Sequence, residues 1–159
     1  MMRGLAEFER YLDEFGVSEP DLEERAFGPG PQCRITVAED RATGVLVGYA
    51  VTVSTPFTYD LKPTVTLKEL YVCEPARSRG VGRALLQAVA AEAVEAGAGR
   101  LEWDVLAGNR RAEAFYRSLG GRRVRKWIPY SMDARALREL ALGRPLPAGV
   151  QQFWPSKGS

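Results

Sequence analysis

The order in which apolar patterns change along this chain predicts an α+β protein: a central mixed, mostly antiparallel twisted sheet flanked by helices. Three observations carry the prediction. First, two β-rich runs, Cys33 to Glu39 and Val45 to Ser54, are joined by the polar stretch Asp40-Arg41-Ala42-Thr43-Gly44, which suits an antiparallel hairpin. Second, Thr58-Tyr59-Asp60-Leu61-Lys62-Pro63 leads into a further run, Thr64 to Val72, completing a meander. Third, Leu101 to Leu106 is reached only across a helix, so it must lie parallel to Thr64–Val72.

Ahead of the sheet, Leu5, Phe8, Leu12 and Phe15 recur at helical spacing and Gly16 ends the element. Ser18-Glu19-Pro20-Asp21 starts a second short helix with a cap, an early Pro and an acidic first turn. It runs to about Phe27, where Gly28-Pro29-Gly30-Pro31 closes it, and Glu23 and Glu24 form a solvated face. After the third strand, Val81, Leu85, Val89 and Ala93 place an apolar stripe on a helix that ends near Gly97-Ala98-Gly99. Asn109 caps a helix through Leu119, with the stripe Ala112, Phe115, Tyr116 and Leu119 and with Gly120 at its end. Val124 to Met132 reads as a last strand and Asp133 as the cap of a short helix. From Gly143 onward the chain is a loop-like tail, and 1–159 is expected to form a single domain without repeats or linkers.

Composition narrows the chemistry. The chain is 45% hydrophobic and 26% charged, with no apolar run near the ~18–20 residues of a membrane helix. No leader pattern opens it, so the expectation is a cytoplasmic protein with no membrane partner. A net charge of +2 is too small to imply nucleic acid. Its distribution is more telling: Arg77, Arg79, Arg83, Arg110, Arg111, Arg117, Arg122, Arg123, Arg125 and Lys126 crowd the second half, which suits an anionic ligand. There is no histidine, and Cys33 and Cys73 lack metal-ligand spacing, so a His triad is excluded and no metal is expected. Acid–base work falls to Tyr, Glu, Asp, Lys or water.

The stretch Thr66-Leu67-Lys68-Glu69-Leu70-Tyr71-Val72-Cys73-Glu74-Pro75-Ala76-Arg77-Ser78-Arg79-Gly80-Val81-Gly82-Arg83-Ala84-Leu85-Leu86 organises the rest. Strand, Gly-containing turn and helix N-terminus in succession aim backbone N–H groups and a positive dipole end at a diphosphate. The spacing matches neither a P-loop nor a dinucleotide-binding fingerprint. An ordinary β-to-α turn is the alternative reading.

With Arg77, Gly80 and Gly82 in these positions, the turn resembles the Arg/Gln-x-x-Gly-x-Gly/Ala signature of GCN5-related N-acetyltransferases (GNAT). A second block resembles a later motif of that family: Trp103-Asp104-Val105, then Asn109, Ala112, Phe115-Tyr116 and Leu119-Gly120. Phe57-Thr58-Tyr59-Asp60 and Leu5-Ala6-Glu7-Phe8-Glu9 look most like the diamine (spermidine/spermine) and thialysine acetyltransferase branch. The resemblance implies that the parallel strands splay and that acetyl-CoA lies between them, its pantetheine bonding to backbone as a strand would. On that footing the cofactor-binding residues are Tyr71, Val72, Cys73, Arg77, Ser78, Arg79, Gly80, Val81, Gly82, Arg83, Asn109, Arg111 and Phe115. Cys73, read by itself, is a small apolar residue.

An amine attacking a thioester builds oxyanion charge and expels a thiolate. A backbone N–H near Tyr71–Cys73 answers the first need. Tyr116 matches the general acid of the family; its plain alternative is a core aromatic on an apolar stripe. Glu69, acting through water, is the candidate base, and by strict alternation it shares a face with Leu67 and Tyr71. A salt-bridged surface Glu is the other reading. Asn109 is either a helix cap alone or also a cofactor contact. Basic residues opening a helix oppose its dipole, so Arg110 or Arg111, or Arg79/Arg83, is a candidate for the 3′-phosphate of coenzyme A. Tyr59, Asp60 and Asp104 are candidates for contacting a small cationic amine.

Three departures from the resemblance stand out. The strand that usually opens the family is missing ahead of Leu5, Ser78 replaces a frequent Gly, and the paired acids of the diamine branch read Lys68-Glu69. The other class kept open is a non-catalytic acyl-CoA-binding or nucleic-acid-associated module using the basic half; Val124–Tyr130 reads better as strand than as an RNA platform. Members of the branch are commonly dimers, and Phe153-Trp154 is a candidate for packing on a neighbour.

Overall fold

The computed structural model describes residues 1–56 and 58–142. It divides into two compact units, Met1–Phe115 and Tyr116–Ser159. The first holds the four-stranded sheet, in spatial order β1-β2-β3-β4: β1 (Arg34–Asp40), β2 (Val45–Thr55), β3 (Thr64–Val72) and β4 (Arg100–Trp103). The first three pair antiparallel in sequence order, and β4 lies parallel to β3. The β1–β2 turn closes as its residues dictate: Asp40 Oδ1 accepts from the Ala42 N–H at 2.9 Å, and Gly44 sits at φ 68°.

The crossover to β4 is α3 (Val81–Glu95), which buries Leu85, Leu86, Val89 and Ala93. Each fully buried Leu or Val contributes about 1.5–3 kcal/mol relative to exposure, so this stripe anchors the crossover. The other face of the sheet is covered by α1 (Met2–Glu9), whose Leu5 packs with Tyr49 and Val51 of β2, flanked by Met2, Cys33, Ile35 and Tyr71. A four-residue helix, α2 (Glu19–Leu22), continues as a π turn over Glu23–Phe27, and Ser18 and Asp21 close a reciprocal capping box at its start.

The structure departs from the sequence reading at several points. The first helix stops at Glu9 instead of reaching Gly16, because Arg10 turns left-handed (φ 65°) and Tyr11 N–H bonds back to Ala6 O at 2.9 Å; Leu12–Glu14 is a separate 3-10 turn. β3 carries a bulge: Thr52 faces Leu67 and Val51 faces Glu69, so Lys68 is an extra residue. Alternation is reset there. Glu69 and Tyr71 lie with Tyr49 on the α1 side, whereas Val65, followed by Leu67, lies on the α3 side with Val89 and Ala93. The expected common face for Leu67 and Glu69 is therefore corrected. β4 ends at Trp103, short of Leu106.

In the second unit, Gly121 N–H bonds to Tyr116 O at 3.0 Å and Gly120 adopts φ 90°, closing α4 (Arg110–Ser118) as a Gly stop should. The expected strand Val124–Met132 is not formed. Val124, Trp127, Ile128 and Tyr130 are exposed there, and Pro129 cannot donate to a ladder. Asp133 Oδ1 caps α5 (Ala134–Leu142) through the Ala136 N–H at 2.7 Å. Phe57, the tail from Gly143 and Phe153-Trp154 lie outside the described residues.

Candidate active site

The site is built on the part of β3 that outruns its parallel neighbour. Pairing with β4 runs from Thr64↔Arg100 to Leu67↔Trp103 and stops at the bulge, while β3 continues to Val72. From Lys68 onward the strand keeps β2 on one side and has no β4 residue on the other. A strand edge of this kind is a template for an extended, amide-bearing ligand.

Beyond Val72, a 3-10 turn over Glu74–Ala76 leads into the loop and α3. Arg77 Nε donates to the Val72 carbonyl at 2.9 Å, and its guanidinium stands 5.8 Å from the Tyr71 ring centroid. Ser78 turns left-handed at φ 63°, and Arg111 Nη2 donates to its Oγ at 3.0 Å. Gly80 (φ 84°) is the residue before α3, so no side chain caps the first N–H groups of that helix. A methyl placed on Gly82 would lie 3.6 Å from Phe115 and 3.7 Å from Val72. The fold thus gathers Tyr71, Val72, Cys73, Arg77, Ser78, Gly80, Val81, Gly82, Arg111 and Phe115 around one loop, with Arg79 and Arg83 exposed upon it. Asn109 Oδ1 accepts from the Ala112 N–H at 3.1 Å, so it does cap α4.

Glu69 stands on the α1 face, where Tyr49 Oη donates to its Oε2 at 2.7 Å. Two further groups sense its charge. Partial burial and then Glu69 push the Glu9 carboxyl above the usual carboxylate range; burial, Glu69 and Glu9 push the Tyr11 phenol upward. Sequence reasoning missed Tyr49, Glu9 and Tyr11 as neighbours of Glu69. The available signal was a polar-tipped aromatic in the middle of an aliphatic strand, which needs a partner once buried.

Tyr59 and Asp60 are not grouped with these residues. They precede the opposite end of β3, where Arg100 reaches Asp60 Oδ2 and stacks 4.6 Å from the Tyr59 centroid. Hydrogen bonding from Thr58 is the main cause holding the Asp60 carboxyl below its ordinary range. Asp104 is exposed just past β4. Tyr116 follows Phe115 on α4 and is half-buried.

A parallel pair whose longer strand continues past its partner toward a Gly-containing loop is the setting of the candidate site, and comparison with known proteins names the family. The acetyltransferase (GNAT) family pattern matches residues 5–120, so the chain belongs to that family and is an N-acetyltransferase. It is 29% identical over 150 residues to the thialysine N-epsilon-acetyltransferase of Sus scrofa, covering 89% of this chain and 88% of that protein. An Arabidopsis thaliana L-ornithine N5-acetyltransferase is 35% identical over 74 residues, 46% of this chain and 32% of that one. Among solved structures, an integron cassette protein from the mobile metagenome of V. cholerae superposes with a TM-score of 0.71 at 26% identity, covering 89% of this chain and 90% of its own.

Proposed function

We propose that the protein transfers the acetyl group of acetyl-CoA to a primary amine, a small cationic one such as a diamine, polyamine or thialysine-like compound, by direct attack in a ternary complex. The observation that carries this is the stretch of β3 from Lys68 to Val72, unpaired on the β4 side and followed, across the Glu74–Ala76 turn, by the Gly80–Gly82 loop. The residues present fit coenzyme A. The strand edge suits pantetheine amides, the uncapped start of α3 suits the pyrophosphate, and Arg111, Arg79 and Arg83 suit phosphate charge. The names of the relatives support an amine acceptor.

In this reading Glu69, through water, takes the proton that the ammonium must lose before it can attack. A backbone N–H near Tyr71–Cys73 binds the developing oxyanion charge. Tyr116 gives its phenolic proton to the departing sulfur; a phenol near pKa 10 matches a thiol of roughly 8–10. Tyr59, Asp60 and Asp104 are kept as acceptor candidates, although Asp60 already has Arg100 as a partner. A cytoplasmic homodimer acting as one domain completes the proposal, with light scattering as the check on assembly.

The experiment is thiol release from acetyl-CoA over diamines, polyamines, thialysine, lysine, amino acids and short peptides, with Tyr116→Phe alongside. Amine-dependent turnover that drops about tenfold or more in the variant is expected. Acetyl-CoA binding without turnover on any amine would overturn the assignment of catalysis to this site.

A further inference from the structure

Tyr49 is 2% exposed in the middle of β2, against Leu5 and Val51. A buried hydroxyl without a partner costs about 1–3 kcal/mol, and Phe would fill nearly the same volume without that liability. The hydroxyl finds Glu69 at 2.7 Å. The two are not opposite each other in the ladder: Tyr49 faces Tyr71, and Glu69 faces Val51. The phenol therefore reaches diagonally along β3, and the bulge at Lys68 is what turns Glu69 to its side of the sheet.

We propose that Tyr49 is a positioning residue for the acetyl-transfer base: by holding Oε2 of Glu69 it fixes the carboxylate and leaves Oε1 to receive the proton. This rests on the reading of Glu69 as base. Tyr49 keeps its own proton throughout. Burial and then the Glu69 carboxylate hold its phenol far above the ordinary range, so it is a donor at every working pH. The other titratable groups facing Glu69 are Glu9 and Tyr11, from α1 and the turn after it, and each is pushed up by burial and by the Glu69 charge. On the strands, the Tyr71 ring stands 6.1 Å from that of Tyr49, with Arg77 beyond it.

The test is the pH profile of kcat/KM for the amine in Tyr49→Phe, Glu69→Gln and the double variant, with KM for acetyl-CoA and Tm measured alongside. A carboxylate that loses its tether is free to turn away from the ammonium, so the Tyr49→Phe profile should lie about tenfold below that of the wild type. KM for acetyl-CoA should hold, and the effect should vanish in the Glu69→Gln background. Ile35→Ala, which loosens the same apolar cluster, shows what lost packing alone does to the profile. Tyr49→Met carries the same test if the Phe variant does not fold. A Tyr49→Phe profile that overlays the wild type while only Tm falls, or an equal loss in the Glu69→Gln background, overturns the proposal and leaves Glu69 as base. A Glu69→Gln enzyme with undiminished kcat/KM overturns the assigned base itself, and this inference with it.

Discussion

Ser78 holds a conformation that glycine adopts freely and serine does not. At φ 63° its Cβ crowds the backbone, a strain of about 1–2 kcal/mol for an L-residue, and the gain set against it is the Arg111 bond to Oγ at 3.0 Å. An exposed hydrogen bond of this kind offsets only about 0.5–1.5 kcal/mol. Ser78→Gly should therefore leave stability unchanged or raise it by up to about 1 kcal/mol in denaturant unfolding. A loss larger than that would mean that the Arg111 tether outweighs the strain. Arg111→Ala tests the ligand side of the same contact: KM should rise more for acetyl-CoA than for its 3′-dephospho form if this guanidinium meets the 3′-phosphate. Equal losses reject that role.

At the scale of elements, Asn109 separates two duties that one residue can combine. Its side chain caps α4 through the Ala112 N–H. Asp caps as well as Asn does, so Asn109→Asp should retain the stability that Asn109→Ala loses, about 1 kcal/mol by thermal melting. If Asn109 also meets the cofactor, the Asp variant should bind acetyl-CoA more weakly than Asn109→Ala despite its better helix; equal binding would confine Asn109 to capping. The cap was legible because Asn stands immediately before a periodic stripe, and β3 was legible to its last residue because Glu74-Pro75 ends it. What the residues did not display were choices made by tertiary contact. Arg10 ends α1 in a left-handed conformation that glycine usually marks, so periodicity carried the helix on to Phe15. Lys68 is an extra residue only with respect to its partner strand, and no one-strand pattern records that. Val124–Met132 reads as a strand by itself, but a strand-like stretch supplies no neighbour to bond with. The loop residues of the site were thus readable from local motif spacing. The surroundings of Glu69, assembled from α1, β2 and a bulge, were not.

Over the whole molecule, the Glu69 neighbourhood leaves a mark on stability. Glu9 binds its proton more tightly in the folded state than in the unfolded chain, whose reference value is 4.5, because burial and Glu69 both disfavour its charge. The sign follows from proton counting: where the native state holds more protons than the unfolded state, stability falls as pH rises. The penalty is absent at acid pH, where both states are protonated, and is complete once pH has passed the raised folded value. Glu9→Gln removes it. The variant should melt higher than the wild type at pH 7, and the difference should shrink toward zero as pH is lowered below about 4.5. Glu69 supplies the second of the two causes, so the gain should be smaller, but not nil, in a Glu69→Gln background, where desolvation of Glu9 remains. Melting curves across that range decide it: a Glu9→Gln difference that stays flat with pH would mean that Glu9 acts through packing, and its charge is then not part of the field around Glu69.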